Sequence, residues 1–390
     1  MRINILRSSF QTDEFVWREY AELLQGLKDE CLATFEINGD TIPDVVMIAT
    51  GGVESQFKTL FAGKGPVTLI ADGRNNSLAA ALEILTWLES KGVKARILHG
   101  TNAEIFEGLM ETSLRARIGL FGAPSDWLIA SGVDRAFLFE RYGTETVDID
   151  LQRLIDGIKA VPQDEAEQVA QDLLKRAQGV KEPSQADLLE AAKAYLAIKK
   201  ICQEERLDAM TIRCFDIVNA CGTTSCLALA LLNDEGIVAG CEGDMQTLMS
   251  MLLVKRLCGQ AAFMANPSQL NAEGTMLAHC TIPLSMCDNL VIRSHFESGI
   301  GVAIQGMLPM GSYTIFKWGG PKLDRYFVTE TLAMEAPYSD HFCRTQITVD
   351  TDLRDYLLEH SIGNHHVVIR GRHAEKINEF MEKIGAWFVE

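Results

Sequence analysis

The chain is short of positive charge: 36 Lys and Arg stand against 53 Asp and Glu in 390 residues, a formal net charge of -17. Nothing in such a chain neutralises a run of phosphates, so a general nucleic-acid binder is excluded. Anionic small molecules are not excluded, because one local Arg or Lys cluster can override the global field. No apolar run reaches membrane-spanning length without interruption, so no membrane partner is expected. The opening MRINILRSSF has a basic start but only a short apolar run that reads as a first strand. No signal peptide is therefore expected, and the expected location is cytoplasmic. The ten cysteines include no CxxC pair, and the chain is far larger than a disulfide scaffold. Reduced, buried thiols are the expectation. A GxGxxG dinucleotide fingerprint, an internal repeat and a low-complexity tract are all lacking.

What is present is globular: 47% apolar and 23% charged residues, in a chain too long for one ordinary core. Short apolar runs at 2–7, 45–50, 67–72, 94–100 and 118–124 read as buried strands. The stretches Asp13–Glu30, Ser77–Lys91 and Ala103–Ala116 between them read as amphipathic helices. That alternation predicts βαβ crossovers and a parallel, Rossmann-like sheet over residues 1–150. Small and polar residues at the strand ends (TGG at 50–52, DGRNNS at 72–77) stand where open α/β sheets bind ligands, although Ser77 serves equally well as a helix cap. Residues 151–295 read as a central α/β domain. It opens with charged helices to about 206, then has strands at 208–214, 237–241, 261–264 and 289–293 and a helix at 244–258. Residues 296–390 read as an antiparallel β domain closed by the helix in HAEKINEFMEKIGAWF.

The chemistry concentrates in Thr211–Met249, which places Asp216, Glu242 and Asp244 at the edges of apolar runs. A carboxylate leaving a buried strand is costly unless it meets a cation, a donor or a substrate. Asp244 suits a helix start, where the macrodipole favours an anion. Glu242, directly after the strand, points into a cleft. Asp216 follows RCF at another expected strand end. Downstream, His279 follows the apolar MLA, and His365 and His366 lie in IGNHHVVIRG. A lone His beside a core strand is more often structural than a ligand. If the strand continues through the His pair, their rings face opposite sides and only one enters a given cleft. Carboxylate plus separated histidines is a plausible oxygen/nitrogen metal set. Trp318, in FKWGG, reads either as an apolar wall for a sugar or as ordinary core.

The segments CFD, LNDEGIVAGCEGDMQTLMSMLL, FMAN, LAHC and GNHHVVIRG, in this order, resemble the L-fucose isomerase and L-arabinose isomerase family. The resemblance reaches back to NSLAAALEIL (76–85) and GAPSDWLIAS (122–131), and so spans most of a chain shorter than the familiar fucose enzymes. It implies the three-part α/β architecture above, a divalent metal, usually manganese, and active sites shared between subunits of a trimer, tetramer or hexamer. By position, Glu242 matches the first acidic ligand, which is also the catalytic base candidate, and His279 matches a histidine ligand of arabinose isomerases. The pair His365–His366 covers the C-terminal ligand. His366 is the favoured member, and His365, Arg213, Asp216 and Trp318 are assigned to substrate. One departure matters. Where the family has a second carboxylate, in a segment like FMED, this chain has FMAN, so Asn266 stands in both a metal and a catalytic position. That removes an anionic ligand while leaving an amide carbonyl able to coordinate.

The resemblance implies a metal-dependent aldose–ketose isomerase for an open-chain sugar. Glu242 would move the proton between C1 and C2 through an enediol, with its pKa raised by the apolar strand around it. Two alternatives stay open: altered chemistry on another polyol or anionic sugar, and a non-catalytic sugar-binding homologue.

Overall fold

The computed structural model describes residues 1–63, 66–271 and 274–390, which form two compact units. The first comprises Met1–Arg115, Arg135–Thr144 and Phe380–Ala386. Its core is a five-stranded parallel sheet in the order Thr34–Ile37, Arg2–Leu6, Val45–Ile48, Val67–Ile70 and Ala95–Leu98. Val45–Ile48 is wholly apolar and Arg2–Leu6 and Val67–Ile70 largely so, because both faces of the sheet are covered there. Ile3, Ile5, Val45 and Met47 pack on one side, and Leu6, Val46, Ile48 and Leu69 on the other. The edge strand Thr34–Ile37 was not foreseen. Its side chains alternate between exposed and partly buried, so it lacks the continuous apolar run that marks its neighbours.

The second unit comprises Ala116–Asp134, Glu145–Glu379 and Trp387–Glu390. The strand expected at 118–124 forms as Arg117–Phe121, but in this unit rather than in the first sheet. It lies in a four-stranded parallel sheet ordered Val238–Cys241, Ala209–Ile212, Arg117–Phe121 and Glu145–Ile149. Apolar periodicity identifies a strand but carries no address for the sheet it joins. The expected charged helices are Leu151–Ala160, Gln163–Arg176 and Gln185–Glu204. The last is started by a capping box between Ser184 and Asp187.

The β-rich part is a barrel. Neighbouring strands, in order, are Ser312–Gly319, His366–Arg370, Phe263–Asn271, Gly274–His279, Thr345–Val349 and Arg325–Met334, and the last pairs back onto the first. Its interior carries Phe263, Ala265, Leu277, Ile315, Ile347 and Val368. Two of its strands thus come from before residue 296. The strand expected at 289–293 pairs antiparallel with Ala303–Met307, outside both the barrel and the parallel sheet. The closing helix runs over Ala374–Ile384. The fold is mixed α/β, with two parallel sheets and an antiparallel barrel-like sheet. Among the described residues, no helix is long and apolar enough to cross a membrane.

Candidate active site

Strand Val238–Cys241 ends in a turn that only a few residues tolerate. Glu242 adopts φ 62° and Gly243 φ 76°, both in the left-handed region. For Glu242, a residue with a side chain, this is a strained conformation of the kind concentrated at functional sites. At Gly243 a Cβ would stand 2.5 Å from Cα of Pro124, so no larger residue fits. Asp244 then starts helix Met245–Cys258, accepting from the Thr247 amide at 2.9 Å and from Thr247 Oγ1 at 2.8 Å. The turn lies at the carboxyl end of the parallel sheet, where α/β sheets present ligands.

The barrel supplies the partners. His279 ends strand Gly274–His279, and His365 immediately precedes strand His366–Arg370. His365 Nδ1 donates to Asp244 Oδ2 at 2.9 Å, while its Nε2 stands 3.6 Å from Glu242 Oε1. That second distance is an ion-pair contact rather than a hydrogen bond, and the buried Nε2 has no hydrogen-bond partner among the described residues. His279 Nε2 lies 3.9 Å from the same Glu242 oxygen, and its Nδ1 is 3.1 Å from Thr281 Oγ1. Glu242 Oε2 accepts from Trp127 Nε1 at 2.6 Å. Trp127 in turn meets Phe215 edge-on at 5.2 Å, and Phe215 meets His295 at 5.6 Å, forming an aromatic rim beside the carboxylate.

Burial raises the Glu242 carboxyl, but His365, His279 and the Trp127 N–H outweigh it and hold the group down at about 2. The expected upward shift is therefore corrected: the apolar surroundings are real, and the neighbouring donors overcome them. Burial likewise opposes ionisation of Asp244, yet Lys317, His365 and the Thr247 amide keep it well below the usual carboxylate range. For His365, burial favours the neutral ring, while Asp244 and Glu242 lift it to about 9. His279 is pushed down to about 3 by burial and by the charge on His365, so it is neutral.

The structure thus brings Glu242, His279 and His365 together. It does not bring His366 to them. That ring turns away, with Nε2 2.9 Å from the Tyr356 hydroxyl and Nδ1 2.8 Å from the Asn364 carbonyl, and burial lowers it to about 3. Of the pair, it is His365 and not the favoured His366 that stands beside Glu242. Trp318 is wholly buried, its indole N–H donating to the Leu323 carbonyl at 2.7 Å, so it is core and presents no face to a ligand. Asp216 lies on helix Cys214–Cys221 rather than at a strand end, and pairs with Arg213 Nε at 3.0 Å. Arg213 also grips Asp126 through both terminal nitrogens, at 3.1 and 2.8 Å, and so tethers the loop that carries Trp127. Asn266 sits in the barrel strand opposite Ala278, the neighbour of His279, and its Oδ1 is buried without a partner.

Trp127, Thr247 and Lys317 were missed. Trp127 did carry a signal, since it stands in the quoted segment GAPSDWLIAS, but nothing in that segment pairs it with Glu242. Lys317 carried the contradiction of a lysine inside an apolar strand run.

Cys241 Sγ also lies within 4.8 Å of ligand atoms of Glu242 and His279. Its thiol faces Cys214 Sγ at 3.3 Å, and that contact together with burial raises it well above its ordinary range. With Glu242 and His279, Cys241 forms a candidate metal-binding group, since a coordinating cation would itself draw the proton off the thiol.

No family model matches the chain. It is similar to the sulfoquinovose isomerase of Alkalicoccus urumqiensis, 25% identical over 287 residues, which cover 70% of this chain and 63% of the relative. The enzyme of that name from Priestia megaterium is 24% identical over 238 residues, covering 59% and 52%. That from Clostridium sp. (strain MSTE9) is 30% identical over 166 residues, covering 40% and 36%. The alignments span at most 63% of the length of these relatives. The relatives are sugar isomerases, in agreement at that level with the resemblance read from the sequence.

The charge pattern has a pH signature in the metal-free protein. The raised His365 contributes stability that is complete below its ordinary 6.5 and lost as pH rises through about 9. Glu242 contributes stability that is present above the ordinary carboxylate range and lost as pH falls through about 2. His279 and His366, kept neutral when folded, take up protons on unfolding below 6.5 and so also destabilise towards acid. The urea midpoint is expected to peak near pH 6.5 and fall on both sides. A midpoint that stays flat from there to pH 9 would show that His365 is not a buried imidazolium.

Proposed function

We propose that this chain is an aldose–ketose isomerase acting on an open-chain sugar, with Glu242 moving a proton between C1 and C2. The observation that carries the reading is the Glu242 carboxylate, partly buried at a sheet's carboxyl end and held between His279, His365 and Trp127. Similarity to named sugar isomerases supports it.

The residues present fit a divalent cation. The unpartnered buried atoms His365 Nε2, an acceptor once its ring is neutral, and Asn266 Oδ1 are positions of the kind a structure rarely leaves open. Together with Glu242 and His279 they make a mixed nitrogen and oxygen set. Such a cation, manganese in the family that the sequence resembles, would be held by Glu242, Asn266, His279 and His365, and would polarise the sugar carbonyl. The protein's own part is separate. Asp244 fixes the His365 ring by its Nδ1–H. Trp127 occupies one Glu242 oxygen and leaves the other facing the histidines, and its indole, with Phe215, shields the carboxylate from bulk water. Proton transfer needs a carboxylate free to accept. Glu242 is a weak base while His365 is cationic, and it gains basicity when that imidazolium gives up its proton.

The relatives' name makes sulfoquinovose, a sugar carrying a sulfonate, the first substrate to test. The assembly remains the homo-oligomer with shared sites that the family resemblance implies.

The reading is tested by screening aldoses and ketoses, sulfoquinovose included, with added manganese. Glu242→Gln keeps the volume but can neither accept a proton nor lend charge, so turnover should fall roughly 10²–10⁴-fold with the melting temperature retained. Undiminished activity in that variant would remove Glu242 from the mechanism.

Asn266→Asp adds a negative charge at nearly constant volume beside the proposed cation. Calorimetric titration should show tighter manganese binding than in the native protein. Equal or weaker affinity would place Asn266 outside the coordination sphere.

A further inference from the structure

Beneath the site lies a lysine with no evident reason to be there. Strand Ser312–Gly319 is buried along nearly its whole length, and Lys317 in its middle has no exposed side-chain surface. It is the single lysine among the buried residues described. Taking an ammonium out of water is costly, and a well-packed apolar residue would fill a barrel strand at least as stably. Room for it is specifically kept: at Gly363, φ 135°, a Cβ would stand 3.1 Å from Lys317 Cε and 3.3 Å from Nζ.

The head group has two neighbours. Nζ donates to Thr247 Oγ1 at 3.0 Å and lies 3.9 Å from Asp244 Oδ2. Thr247 Oγ1 donates to that same Asp244 oxygen at 2.8 Å, and the oxygen also receives His365 Nδ1–H at 2.9 Å. Of the contacts on Asp244 Oδ2 other than His365, one is the Lys317 charge and the other is the Thr247 hydroxyl, which also lies 3.3 Å from the His365 carbonyl and which the Lys317 N–H orients. As a helix cap Asp244 needs no lysine, since the Thr247 amide already bonds its other oxygen at 2.9 Å.

The geometry points to Lys317 as a positioning residue: it holds the Asp244 carboxylate in place and, through it, sets the His365 ring so that Nε2 faces Glu242. This rests on the reading of Glu242, His279 and His365 as the working centre, but its first test does not. Outer partners of this kind typically change activity by about 10–100-fold when lost.

The test compares native protein with Lys317→Met and Lys317→Gln, below their melting temperatures, in the full chain. In nitrogen-15 histidine spectra of the metal-free native protein, His365 should show a slowly exchanging Nδ1–H. That signal should be lost or in fast exchange in Lys317→Met, while Lys317→Gln, which keeps a donor to Thr247, should lie between. On whichever sugar the screen finds, kcat should fall about 10–100-fold in Lys317→Met with KM changed less than about threefold. In an Asp244→Asn background the same change should add no further loss. Should Lys317→Met fail to fold, Lys317→Gln carries the test. A folded variant with the native Nδ1–H signal and native kcat, only melting earlier, would overturn the proposal and leave Lys317 a purely stabilising residue. An equal fold-loss in the Asp244→Asn background would show that it does not act through Asp244. Because the histidine signal is read without turnover, a chain that isomerises no sugar would refute the isomerase reading while leaving this one to be decided.

Discussion

Four ionisable side chains of alternating sign run through the interior of the second unit: Lys317, Asp244, His365 and Glu242. Successive separations are 3.9, 2.9 and 3.6 Å, and the first three members are fully buried. None of them is tolerable alone in that setting. An isolated buried charge costs several kcal/mol even after relaxation, and breaking one pair strands the next. The row therefore acts as a joint constraint on four pieces of chain: the turn after Val238–Cys241, the start of helix Met245–Cys258, the barrel strand bearing Lys317, and the entry to strand His366–Arg370 at His365. The strained turn at Glu242 fits the same picture, since the compensating contacts hold a backbone conformation that the residue would otherwise avoid.

The row also explains why Glu242 is a depressed carboxylate despite its burial. Apolar surroundings alone would raise it, and that is the only influence a sequence displays. The charge that reverses the shift arrives chiefly from His365, more than a hundred positions away along the chain. The same carboxylate faces two imidazoles with one oxygen and an indole N–H with the other, so its two oxygens are already chemically distinct before any ligand arrives.

Much of this was legible beforehand, and the failures have specific causes. The placement of Glu242 and His279 was readable because each ends an apolar run, which strand geometry turns into an address at a sheet or barrel edge. The choice within the His pair was not readable. Alternation says that the two rings face opposite ways, but only the positions of Asp244 and Tyr356 decide which ring turns inward. Trp318 could be read as a sugar wall or as core, and only the structure shows it wholly buried with its N–H spent on the Leu323 carbonyl. Trp127, the indole that does reach the carboxylate, sits on a loop without periodicity. The parallel sheet of the first unit followed from its apolar runs, but the strand Arg117–Phe121 joined the other sheet because hydrophobicity records burial and not partner.

In the proposed function Glu242 is a proton-transfer base at a carbon next to a carbonyl. The most direct measurement of that role is isomerisation of an accepted aldose in deuterium oxide, with the position of label in the ketose read by NMR. A proton carried by a carboxylate exchanges with solvent in at least a fraction of turnovers, so deuterium is expected on C1 of the product. Turnover with complete retention of the substrate's own hydrogen would instead indicate direct hydride migration and would contradict the assigned role.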